Sequence, residues 1–176
     1  MQSLKRILIA TGIFLLVVLV IGFMLPSTWQ VQRSVVINAP VSTIFPYINN
    51  LKSWRDWAVW YQENPDMTVE YSGPDAGVGA TSRWTDENGR GAMKIMQSTP
   101  NRGIEYQVLF NGGVTSLDGA LTLIPEGANT RVVWEAGGVS GANPANRYFA
   151  LMMRYWIGSD FAASLKRLKQ KVEPKT

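Results

Sequence analysis

Six polar side chains stand where chemistry could happen: Glu105, Asp118, Glu135, Arg83, Arg131 and Tyr106. A carboxylate works as a general base near neutral pH when a cavity encloses it and raises its pKa. Each of the six lies in a stretch where apolar and polar residues alternate, and the alternation fixes where they point. In residues 104–110, Ile104, Tyr106, Val108 and Phe110 share one face, and Glu105, Gln107 and Leu109 the other. By the same register all six except Tyr106 point to a wet face. Asp66 and Asp160 are further acids without a visible partner. The chain has no histidine and no cysteine. That excludes a Ser-His-Asp triad, a histidine base, histidine- or thiolate-held metals, a cysteine nucleophile, disulfides and a lipidated cysteine. What remains favours binding over catalysis and implies no cofactor or metal.

The elements that must position these residues follow from punctuation and periodicity. Residues 30–38 are β-branched and run into Ala39-Pro40, which predicts a strand. Residues 41–49 predict a short helix with Ile44, Phe45 and Ile48 on one face, kinked or shortened by Pro46. Residues 51–60 predict a second helical turn whose Trp54, Trp57 and Trp60 recur every three residues. Period two then takes over, with strands predicted over 67–72, 79–86, 91–99, 104–110, 114–124 and 130–136. Turn residues such as Gly73-Pro74-Asp75 and Glu87-Asn88-Gly89 separate them. One-sided alternation at such short spacing means an antiparallel sheet with one wet face. Asn143-Pro144 is a helix start, and the helix should run to about Lys171, with Ile157, Phe161, Leu165, Leu168 and Val172 as its stripe.

Residues 7–25 carry 19 residues without a charge. A helix of that length spans about 28 Å, close to a hydrocarbon core of about 30 Å. The run exceeds the apolar part of a signal peptide, usually about 7–15 residues, and Met24-Leu25-Pro26 is a poor cleavage site. The expectation is an uncleaved anchor over 7–25, after a cytoplasmic N-terminus of residues 1–6 and before a linker of residues 26–29. Lys5 and Arg6 precede the span, and the next basic residue is Arg33. The positive-inside rule then gives a single-pass protein of the inner (cytoplasmic) membrane, with residues 30–176 as one periplasmic or extracytoplasmic domain. A net charge of +4, without clustered Lys and Arg on one face, argues against nucleic acid as a partner. Lys166, Arg167, Lys169 and Lys171 crowd the last helical turns; macrodipole compensation explains them, with anionic lipid as the alternative.

The order is a strand, two short helices, about six antiparallel strands and one long helix. Residues 35–60 (VVINAPVSTIFPYINNLKSWRDWAVW), 71–84 (YSGPDAGVGATSRW), 100–110 (PNRGIEYQVLF) and 129–138 (NTRVVWEAGG) resemble the START-like, or SRPBCC, superfamily in its polyketide cyclase/dehydrase-like branch. The resemblance implies an α+β helix-grip fold of START/Bet v 1 type: a curved antiparallel sheet wrapped on a long C-terminal helix, here preceded by one transmembrane helix. It also implies a cavity between sheet and helix that takes a hydrophobic small molecule or a lipid. The anchor and Pro46 depart from the superfamily pattern.

A curled sheet leaves more room than one helix fills. The inward positions are Trp84, Met93, Ile95, Tyr106 and Val108, continuing through Phe110, Leu121, Leu123, Val132 and Trp134. Residues 148–157 (YFALMMRYWI) are apolar on nearly every side, more than one sheet can use. The excess needs the tryptophan turn, a bound lipid or the membrane surface as partner. As ligand contacts this adds Phe149, Met153 and Trp156 from the helix, and Trp57 and Trp60 from the turn. Beside a membrane-anchored binding protein, two other readings stay open at this point. One is a polyketide cyclase/dehydratase-like enzyme. The other is a protein-interaction module, its partner unknown.

Overall fold

The computed structural model describes residues 2–87, 89–113 and 115–173. Asn88 of the expected hairpin turn, Val114 at the start of an expected strand and residues 174–176 lie outside them. The chain opens with helix α1 (Gln2–Met24), followed by strand β1 (Thr28–Ile37), which begins inside the segment expected as a linker. Helix α2 (Val41–Asn49), a 3₁₀ turn (Leu51–Asp56) and helix α3 (Trp60–Glu63) come next. Six strands follow: β2 (Thr68–Ser72), β3 (Thr81–Asp86), β4 (Gly89–Thr99), β5 (Gly103–Phe110), β6 (Thr115–Glu126) and β7 (Asn129–Val139). Helix α4 (Pro144–Val172) ends the fold. α2 runs through Pro46 because that residue sits on the wet side, while Val41, Ile44 and Ile48 are buried.

The strands form one antiparallel sheet in the order β1-β7-β6-β5-β4-β3-β2. β2 to β7 are a meander, and β1 returns to pair with β7, Val35 opposite Val132 and Val31 opposite Ala136. A bulge at Met96 shifts the register of β4 against β5, so Ile95 and Ser98 both face inward although they are three positions apart. This curved sheet, with one long helix across it, is an α+β helix-grip-like fold.

The second half of α4 closes the sheet. Phe161, Leu165 and Leu168 are buried, and the Phe161 ring stacks on Trp134 of β7 at 3.9 Å and 8°. Trp54 and Trp57 meet the same indole edge-on, with centroids 5.5 and 5.4 Å away. Three indole N–H groups enter this core, and each finds an acceptor. Trp54 Nε1 donates to the Ile48 carbonyl (3.0 Å), Trp57 Nε1 to the Tyr47 carbonyl (3.2 Å) and Trp134 Nε1 to the Tyr106 hydroxyl (2.7 Å). Aromatic burial with its polar edge satisfied is the strongest packing available to such side chains. Ser164 of α4 also accepts the buried Val59 N–H at 2.9 Å, fixing the tryptophan turn to the helix.

The helix ends are held too. Asn143 caps α4 by accepting from Ala145 N–H (2.9 Å), ahead of Pro144. At the far end Lys169 donates to the Val36 carbonyl (2.9 Å), and Lys171 pairs with Asp56 at 3.0 Å. Two of the four clustered cations therefore tie α4 to β1 and to the 3₁₀ turn.

Candidate functional site

α4 packs closely on β1 at Gly158. A Cβ there would meet the Arg33 guanidinium and, at 3.1 Å, the Val31 side chain, so a larger residue would have to displace the Arg33 side chain. Beyond Gly158 toward its C-terminus the helix is packed on the core. Before it, the helix stands over a concavity of about 1380 Å³. Leu151, Arg154 and Tyr155 form its helix wall. Trp29, Val31 and Arg33 of β1, Tyr106 of β5, and Ala136 and Gly138 of β7 belong to the inward face of the sheet. The space also extends past Gln30, Gln32, Glu105, Asp118 and Glu135, which the register puts on the outward face.

The concavity exists because this end of the sheet lacks side-chain volume. Gly119, Ala120, Ala136, Gly137 and Gly138 adjoin one another across β6 and β7. Gly119 is required in its own right, since a Cβ there would fall within the Tyr106 ring packed over it. Trp29 lies over Gly138, its Nε1 3.1 Å from where a Cβ would stand. The charges are sorted by face. Among the described residues no carboxylate lies within ion-pair distance of Arg33 or Arg154. Arg33 donates only to the Gln32 carbonyl, at 2.8 Å. Glu105, Asp118 and Glu135 are exposed on the opposite side, with Asp118 accepting from Gln107 at 3.0 Å.

Of the fifteen side chains expected inward or against a ligand, Tyr106 alone lines this space, and Leu123 and Val132 are buried in the core. Trp57, Ile95, Leu121 and Trp134 are enclosed in the core, with Met93 and Val108 beside them. Trp60 is half-buried against Trp54 and Trp134. Trp84 and Phe110 pack edge-on at 5.9 Å toward the other end of the hollow. Phe149 and Trp156 are exposed on α4, and Met153 is half-buried. The residues that do line the space, Trp29, Arg33, Leu151, Arg154 and Tyr155, were not singled out as contacts. The signals for them were the glycine pair ending β7 and the lone arginine interrupting residues 148–157.

The ionisable groups behave as their surroundings dictate. Burial pushes the Tyr106 phenol up, opposed by the hydrogen bond from Trp134. Burial, and then the Tyr71 hydroxyl beside it, pushes the Tyr61 phenol up. Asp160 is raised by burial and next by the Glu63 carboxylate, while Asp66 is exposed. Arg83, Glu105, Asp118 and Glu135 are on the wet side, as their alternation predicts. Among the described residues no three His, Cys, Asp or Glu side chains come together to hold a metal ion. A second concavity, beside the Lys52–Asp75 ion pair, measures only about 130 Å³.

α1 is the one helix among the described residues long and apolar enough to cross a membrane. Its apolar side chains are exposed except along Val18, Gly22 and Leu25, a single helical face. That face meets the start of α4. Arg147 donates to the carbonyls of Phe23 (2.7 Å) and Leu25 (2.8 Å), and the Tyr148 hydroxyl to that of Val18 (2.7 Å). Arg147 thereby caps the negative end of α1.

No curated protein is significantly similar in sequence. Solved structures share the fold. One is a solution structure from Thermobifida fusca, with TM-score 0.63 and 16% identity over 81% of this chain and 92% of that one. The Aha1 dimer from Colwellia psychrerythraea gives 0.59 and 16%, over 82% and 96%. A protein from Chromobacterium violaceum gives 0.55 and 18%, over 85% and 99%. At these identities the likeness carries the architecture alone. A family model described as polyketide cyclase / dehydrase and lipid transport matches residues 28–173, from the first residue of β1 to the turn after α4. The match takes in the whole sheet and the helix across it, and the chain belongs to that family.

Proposed function

We propose that the protein is a membrane-anchored binding protein for a lipid or another hydrophobic small molecule, held between the sheet and the first half of α4. The observation that carries this reading is the concavity of about 1380 Å³ whose helix wall, Leu151 to Tyr155, starts about one turn past the Tyr148 contact to α1. The family description, which includes lipid transport, supports the class of ligand. Arg33 and Arg154, without an ion-pair partner among the described residues, offer an anionic headgroup two charge-assisted donors on the inward side, away from Glu105, Asp118 and Glu135. Hydrogen bonds from α4 to two backbone carbonyls of α1 and to that of Leu25 just after it support an anchor that is retained, because cleavage there would leave Arg147 and Tyr148 without them. The positive-inside rule puts the domain on the non-cytoplasmic side.

A photoactivatable anionic phospholipid tests the reading. With the full chain in nanodiscs, it should label residues 28–33 and 151–155. Ala136→Trp, which fills the floor of the concavity, should remove the label from 28–33. Labelling confined to α1 in both proteins overturns the reading.

A further inference from the structure

We propose that the first half of α4, residues 144–157, lies in the outer boundary of the bilayer that α1 crosses, with Phe149, Met152 and Trp156 directed toward the acyl chains. This rests on the reading of α1 as a retained anchor. It adds a second, in-plane membrane contact that fixes which side of the domain faces the lipid.

The first support is continuity. α4 starts against the last two turns of α1: a Cβ on Gly22 would stand 2.7 Å from the Pro144 side chain and 2.9 Å from the Tyr148 ring. The second is depth. The Tyr148 hydroxyl bonds to Val18, six residues before the end of α1 at Met24. At about 1.5 Å per residue that lies roughly 9 Å inside a slab of about 30 Å. The Tyr148 side chain reaches that depth, so the first turns of α4 start within one side-chain length of the membrane boundary.

The third support is the face presented. Positions 149, 152 and 156 form one stripe of α4, on the side opposite Gly158, Phe161 and Leu165, which face the sheet. Phe149 is 54% exposed, Met152 50% and Trp156 50%, and the neighbouring Tyr155 is 76% exposed. No charge interrupts this stripe. Both arginines of the segment point elsewhere, Arg147 to the end of α1 and Arg154 into the concavity. Tryptophan and tyrosine beside aliphatic side chains are the residues a headgroup–acyl boundary accommodates best. Past Gly158 the outward positions turn polar at Ser159 and Asp160, where the helix leaves that layer.

The chain lacks cysteine, so single nitroxide labels can be placed cleanly. Met152→Cys and Trp156→Cys test the stripe, Ile13→Cys the anchor and Lys94→Cys the outward face of the sheet. The full chain is reconstituted in vesicles of phosphatidylethanolamine and phosphatidylglycerol, and collision rates with oxygen and with a water-soluble nickel chelate are compared. Labels at 152 and 156 should show an oxygen-to-nickel ratio severalfold above that at 94 and below that at 13. Ratios at 152 and 156 equal to that at 94, with 13 deep, overturn the proposal and leave the anchor standing. A water-like ratio at 13 overturns the anchor and the proposal together. Protection of 152 and 156 from both reagents, growing with protein density in the vesicle, means that a second copy covers the stripe and also overturns it.

Discussion

Replacing Tyr106 by Phe removes one oxygen from the boundary between core and concavity. The ring stays, and with it the edge-on contact to Trp54 at 5.7 Å. What is lost is the acceptor, 2.7 Å away, for the indole N–H of Trp134, a residue with no solvent exposure. An unsatisfied buried donor costs about 1–3 kcal/mol. For a domain of this size that lowers the melting temperature by roughly 2–12 °C. The assay is thermal and urea unfolding of the full chain in mild detergent, followed by near-UV circular dichroism, which reads the aromatic cluster. A cycle with Trp134→Phe isolates the bond, because that change deletes the donor. In the Trp134→Phe background, Tyr106→Phe should cost less than about 0.5 kcal/mol, leaving a coupling of about 1 kcal/mol or more. Equal losses in both backgrounds, or a single-variant loss under about 0.5 kcal/mol, would refute the reasoning. Equal losses would mean that the Tyr106 hydroxyl is held by something other than Trp134, and a small loss that the Trp134 N–H finds another acceptor.

Two further perturbations probe the middle of α4 and its contact with α1. Asp160 has its carboxyl raised above the ordinary 3.8, first by burial and then by Glu63. The folded state therefore binds more protons than the unfolded one just above that value, and stability falls as pH rises through the window. Asp160→Asn should be more stable than the parent at neutral pH and indistinguishable from it below 3.8; urea midpoints across the acid range measure this, and a difference that persists in strong acid contradicts it. Gly22→Leu should drive α1 off the first turns of α4, because its Cβ already collides with Pro144 and Tyr148. Faster tryptic cleavage after Arg147 in vesicle-bound protein, with membrane retention unchanged, is the expected outcome, and an unchanged cleavage rate counts against the packed interface.

The fold was legible where its signals are local. Turn chemistry and one-sided alternation set the strands of the meander to within a few residues, and Asn143-Pro144 marks the start of α4. The three-residue spacing of Trp54, Trp57 and Trp60 was also informative, since a 3₁₀ turn repeats every three residues and stacks such side chains. Trp54 and Trp57, the latter just past the turn, meet with centroids 4.8 Å apart and rings tilted by 44°, and Trp60 follows in α3. The open end of the hollow was not legible. It depends on β1 pairing with the small residues of β7, Gln30 opposite Gly137 and Trp29 opposite Gly138, across more than a hundred residues of chain. It depends equally on volume. Trp54, Trp57, Trp134 and Phe161 together fill the part of the hollow that the inward pattern had marked as ligand space. Periodicity gives the face of a strand but not how much room remains above it.

The wall chemistry bears on how a lipid would sit. Burying a methylene is worth about 0.8 kcal/mol, so a carrier that takes a whole acyl chain into water needs a closed, greasy sleeve. The enclosed greasy part of this domain is already occupied by its own aromatic rings, and the space that stays open mixes Trp29, Val31 and Leu151 with Arg33 and Arg154. Such a site suits the headgroup and first carbons of an amphiphile whose tail never leaves the bilayer. That arrangement demands that the rim of the site rest at the membrane, and the bonds from Arg147 and Tyr148 hold the turn before the helix wall against α1. Binding would then depend on the tether as much as on the walls. Cutting α1 from the domain should weaken retention of a phospholipid far more than it weakens retention of its water-soluble, short-chain analogue, whereas a domain that carries its ligand wholly enclosed would lose neither.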